Sequence, residues 1–178
     1  EENEVHPILG SLCDRVSQRF GVTRKNPFCE DPIKNLKKID LTQKYNFQAE
    51  FVTPILKILN NRSLIFKEQK LLKGGRQTDG NLFLIYGKTL CNVKAALSKE
   101  IDSYRRSQCR SHQSFIKNWP KEFKLSGWLI AMENYGELKP HMHDEGWLSG
   151  CLYINVPPKE TPKSGNLVVC YDYDKSSL

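Results

Sequence analysis

The residue pattern predicts an α+β chain, with a helical front and a strand-rich back. As far as Tyr104, apolar residues recur at helical spacing. From Phe123 the period shortens to that of strands, and β-branched and aromatic residues become frequent. With 178 residues, 39% hydrophobic and 26% charged, the chain can bury a core, which excludes wholesale disorder.

Each element has its own signal. Ile8, Leu12, Val16 and Phe20 share one helical face, and Gly21 follows as a stop. Asn26-Pro27 and Asp31-Pro32 punctuate a loop. Phe51 to Leu59 is a second apolar helical stretch. Lys73 to Gly80 has the composition of a loop. Gly75 and Gly80 have the spacing of a phosphate-binding loop, but Asn81 follows where such a loop needs Lys and then Ser or Thr, so that reading fails. Asn92 is placed to cap a helix running to about Cys109, with Val93, Ala96, Leu97, Ile101 and Tyr104 on one face. Arg105 and Arg106 near its end complement the helix dipole.

Strands are expected over Leu125 to Met132, Trp147 to Val156 and Asn166 to Tyr173. In the middle one, Leu148, Leu152, Ile154 and Val156 form an apolar face. Trp147, Ser149, Cys151, Tyr153 and Asn155 form the other, whose aromatic and polar groups suit a ligand cavity.

The net charge of +7 is uneven. Residues 1–120 hold 21 Lys and Arg against 12 Asp and Glu, whereas residues 121–178 hold 6 against 8. Lys67, Lys70, Lys73 and Arg76 make one basic stretch, which reads either as a solvated face or as a nucleic-acid surface. No apolar run approaches the ~18 residues of a membrane-spanning helix, so an integral membrane protein of that kind is excluded. The six cysteines form no CxxC pair. Cys151 and Cys170 fall in apolar segments, as buried free thiols do, and the expected setting is reducing and cytoplasmic. The chain opens on Glu1 rather than Met, which is expected of a processed, trimmed or fragmentary sequence.

The chemistry concentrates in Pro140-His141-Met142-His143-Asp144-Glu145-Gly146-Trp147. In an extended segment His141 and His143 point to one side, where two imidazoles can bind one metal ion. Asp144 or Glu145 is a possible carboxylate ligand, and His143 with Glu145 is a second pairing of the same spacing. Such a set, with positions left open, suits non-haem Fe(II), and zinc is the competitor.

The longer run from Pro140 to Pro157, with Trp147, Ser149-Gly150, Tyr153 and Val156-Pro157 in register, resembles a bacterial and phage family of 2-oxoglutarate/Fe(II)-dependent oxygenases. That family shows an H-x-H-P-x-x-W-x-S-G-x-Y-Y pattern. Gly75 to Phe83 looks like its Gln-Thr/Ser-Gly segment, and Ser164 to Val169 like its next strand. Asp144 stands where the family has Pro.

The resemblance covers roughly residues 72–178. It implies a double-stranded β-helix, a cupin-like jelly-roll with helices on one side, over residues 71–178. A mostly helical region, residues 1–70, precedes it. It also implies Fe(II) as cofactor, 2-oxoglutarate as cosubstrate and hydroxylation of a C–H bond. His141 is the implied iron ligand and His143 fills the second position, with Glu145 as its alternative. Ser149, Tyr153 and, more weakly, Tyr135 and Asn134 are implied to line the cosubstrate or substrate pocket.

The third ligand of the superfamily is a distal His, followed by an Arg for the far carboxylate of 2-oxoglutarate. The 35 residues after His143 contain neither residue type. The domain is therefore expected to be incomplete at its C-terminus. The substrate, a small molecule or a protein side chain, is not legible. Alternatives to an oxygenase are a catalytically inactive module derived from one and a basic nucleic-acid-binding protein.

Overall fold

The computed structural model describes residues 6–170. It is a mixed α+β structure with a small three-stranded antiparallel sheet and several helices. The helices are α1 (Pro7–Phe20), α2 (Thr53–Leu59), α3 (Leu82–Ile85), α4 (Cys91–Ser107) and α5 (Ser114–Lys117). The strands are β1 (Phe66–Lys67), β2 (Leu72–Thr78) and β3 (Ile130–Leu138), in spatial order β1-β2-β3. The chain divides into two units that interleave along the sequence.

One unit comprises Ile39–Ser103 and Glu122–His141. Phe51, Ile55 and Ile58 are buried at helical spacing, as expected, although a π-helical turn (Gln48–Val52) precedes α2. Tyr45 and Phe47 pack on the Phe51 ring at 5.7 and 5.0 Å. In α4, Val93, Ala96 and Tyr104 of the expected face are buried, Leu97 and Ile101 are only half-buried, and a carboxylate, Glu100, is buried beside them. Lys44 Nζ donates to Glu100 Oε2 at 2.6 Å and Tyr45 Oη to Oε1 at 3.0 Å, so the buried charge is paired. These donors, Lys44 foremost, hold the Glu100 carboxyl below the usual glutamate range despite its burial.

The sheet belongs to the same unit. β1 and β2 form a hairpin with Phe66 opposite Thr78 and Lys67 opposite Gln77, so the boundary expected between residues 70 and 71 falls in its turn. The Lys73–Gly80 tract, expected as a loop, is instead mostly strand and the centre of the sheet. Its glycines explain why. Lys73 pairs with Glu137 and Gly75 with Met132, so residues 133–136 of β3 bulge against Gly74 alone. Gly74 has φ +56°, and a Cβ on Gly136 would strike its carbonyl. Tyr135, at φ +63°, rides on the bulge. The expected strand at Leu125–Met132 starts later and runs on to Leu138. Ahead of it, the half-buried Asn81 side chain donates to Leu125 O, while its Oδ1 accepts from Gly127 N and from Phe83 N at the start of α3.

The other unit comprises the described parts of Glu1–Lys38, Tyr104–Lys121 and Met142–Leu178. Helix α1 ends at Gly21, which is left-handed at φ +65° and donates to Ser17 O. Its apolar stripe is exposed rather than buried: Leu12 and Phe20 face outward, and Gly10 is the buried residue, set against Asn26. The buried Asn26 donates to Asp14 and accepts from the amides of Phe28 and Cys29. Phe28 meets Phe115 and, edge to face at 4.9 Å, Trp147.

Trp147–Val156 and residues 166–170 carry no strand among the described residues. The remainder of the third expected strand, residues 171–173, lies outside them. A strand needs a partner for its backbone groups, and neither segment has one among the described residues. Cys151 and Cys170, expected to be buried, are exposed as a result, and Cys29 is the buried thiol. Among the described residues no helix is long and apolar enough to cross a membrane.

Candidate metal centre

His141 and His143 follow the end of β3, and the division between units passes between His141 and Met142. Being two residues apart, their Cα atoms are held within about 7 Å by the chain itself. Each imidazole has an oxygen at Nδ1 within its own unit. His141 Nδ1 lies 2.9 Å from Lys139 O. A carbonyl only accepts, so Nδ1 carries the proton, and the neutral ring has its lone pair at Nε2. Lys139 is itself fixed, since its amide donates to Leu71 O beside β2. His143 Nδ1 lies 3.2 Å from Ser149 Oγ, and the same tautomer results when the hydroxyl accepts.

Gly146 closes this second contact. Its amide donates to His143 O at 3.0 Å, forming the turn that returns Ser149 to the ring. Trp147 then anchors the segment, with Nε1 donating to Phe115 O at 3.1 Å. The tryptophan expected on a strand face is thus a turn anchor in an aromatic cluster. Its pairing with Phe28 and Phe115 had no signature in spacing, because the three are far apart in sequence.

The other candidates are placed as follows. Asp144 and Glu145 occupy the exposed turn after His143. Asn134 and Tyr135 lie on the β3 bulge, and Tyr135 is 93% exposed. Tyr153 is half exposed, and partial burial, with Cys151 second, pushes its phenol up. Among the described residues no three His, Cys, Asp or Glu side chains are grouped to hold a metal. The contact with the Lys139 carbonyl fixes the His141 tautomer in the sense a metal needs, and among the described residues no third ligand is grouped with the histidines.

Compared with family models, with curated proteins and with solved structures, the sequence matches none.

Proposed function

We propose that the chain carries the metal-binding segment of a 2-oxoglutarate/Fe(II)-dependent oxygenase, acting on a substrate not yet defined. One observation carries this reading. In the run that resembles the oxygenase family, both histidines meet an oxygen at Nδ1, the arrangement that prepares Nε2 for a metal. The fold that goes with the reading is the double-stranded β-helix, and a reducing, cytoplasmic setting suits both Fe(II) and the thiols.

In this reading His141 and His143 hold the metal, with Glu145 as the alternative to His143. When bound, Fe(II) with 2-oxoglutarate supplies oxidation of a C–H bond by dioxygen. Lys139 O orients His141, and Ser149 orients His143, which makes Ser149 a positioning residue rather than a pocket wall. Tyr153 and Tyr135 remain the residues proposed to contact the cosubstrate. The second reading, a binding module derived from such an enzyme, is favoured by the absence of a grouped third ligand among the described residues.

Anaerobic titration with Fe(II), then 2-oxoglutarate, tests the proposal beside a His141→Ala/His143→Ala double variant. Cosubstrate binding that requires iron and both histidines is expected. A folded wild-type chain that takes up iron but no 2-oxoglutarate favours the binding module. A chain that takes up neither contradicts both the metal site and the enzyme.

A further inference from the structure

The basic stretch singled out in the sequence has a defined shape that the oxygenase reading does not use. It surrounds the turn of the β1–β2 hairpin, with Lys67 on the outer strand β1, Lys70 in the turn, and Lys73 and Arg76 on the central strand β2. There a groove of about 270 Å³ is lined by Phe66, Lys67, Glu68, Gln69, Lys70 and Arg76, among others. The turn is braced from within. Leu72 N donates to Gln69 O and Leu71 N to Gln69 Oε1, while Gln69 Nε2 donates to the buried Gln77.

On this fixed frame Lys67, Lys70, Lys73 and Arg76 are all exposed, and among the described residues none of them is in an ion pair. Arg76 lies over the Phe66 ring, 4.6 Å from its centroid. Glu68 is the single carboxylate in the groove wall. Four cations that face water outside any ion pair among the described residues repel one another, so an anion brought among them is stabilised. The groove is open and its cations are exposed, which suits a chain of phosphates better than an enclosed small anion. An aromatic ring and a guanidinium plane beside those cations add surfaces on which a base stacks.

We propose that the β1–β2 hairpin groove binds single-stranded nucleic acid. Lys67 and Lys70 in the groove wall contact the phosphates, Lys73 outside the groove on β2 extends the track, and Phe66 with Arg76 meets a base. The proposal is independent of the metal centre.

The test is fluorescence anisotropy of the full chain with labelled oligo(dT) and oligo(U), with inorganic polyphosphate as competitor. The variants are the charge reversal Lys67→Glu/Lys70→Glu/Lys73→Glu and a control reversal of equal charge at the exposed Lys88, Lys94 and Lys117. The expected result is a loss of at least about tenfold in affinity for the hairpin triple and far less for the control. The salt dependence of binding by the hairpin triple should be shallower by about two in the log–log slope, as for three lost single-strand phosphate contacts. Phe66→Ala should weaken oligonucleotide binding without changing polyphosphate binding. Equal losses in the two triples, polyphosphate bound as tightly as oligonucleotide, or no oligonucleotide binding by the folded wild type at low salt would each overturn the proposal.

Discussion

Strand β2 and the tract Trp147–Val156 teach opposite lessons about what makes a strand. β2 reads Leu-Lys-Gly-Gly-Arg-Gln-Thr, a poor strand by composition, yet it is the centre of the sheet, with β1 on one side and β3 on the other. Trp147–Val156 is rich in aromatic, branched and aliphatic residues and is not a strand among the described residues. Propensity is a weak term, of about 1 kcal/mol across its whole scale, and cross-strand pairing outweighs it. The glycines that spoil the composition of β2 are the residues its position requires, because Gly74 faces the β3 bulge at close range.

The energetic contrast is open to direct measurement by denaturant unfolding. Phe51, with no exposed surface, belongs to the well-packed unit that contains the sheet, and Phe51→Ala should cost about 3–5 kcal/mol. Glu100→Gln should cost about 1–3 kcal/mol by unpairing Lys44 and weakening the Tyr45 contact. The sign with pH follows from the lowered Glu100 pKa: the pair stabilises the fold above the ordinary glutamate value and is lost as pH falls through the lower folded value. Wild type should therefore lose more stability on acidification below about pH 4.3 than Glu100→Gln does.

Within the second tract the contrast sharpens. Trp147→Phe keeps the ring but removes the donor to Phe115 O, and should cost about 1 kcal/mol. Next to it, Leu148 is 43% exposed, and Leu148→Ala should stay within about 0.5 kcal/mol. A cost at Leu148 comparable to that at Phe51 would erase the distinction between the two regions.

Helices proved the most legible elements. The stop at Gly21, the Phe51–Leu59 stretch and the α4 stripe all follow from spacing. What spacing missed was burial: the α1 stripe faces outward, and Glu100 lies inside the α4 stripe because Lys44 and Tyr45 meet it from more than fifty residues away. The same limit applies at the candidate centre. The histidine pair was visible as a motif, and Ser149 as its neighbour. The role of Ser149 as a partner of His143 depends on the Gly146 turn, which a strand reading of Trp147–Val156 does not contain. Tyr135 could not be placed by pattern either, because the bulge that carries it arises where the register shifts between the Lys73–Glu137 and Gly75–Met132 pairs.

The most direct test of the metal centre is the protonation state of its two imidazoles before any metal is added. Two-bond nitrogen–proton correlation spectra of the metal-free chain, at a pH where the rings are neutral and assigned with His141→Ala and His143→Ala, report which ring nitrogen carries the proton. The account predicts Nδ1–H at both histidines, with Ser149→Ala disturbing His143 alone. Both rings protonated at Nε2 would place the lone pairs on the Lys139 carbonyl and the Ser149 hydroxyl, and would contradict it.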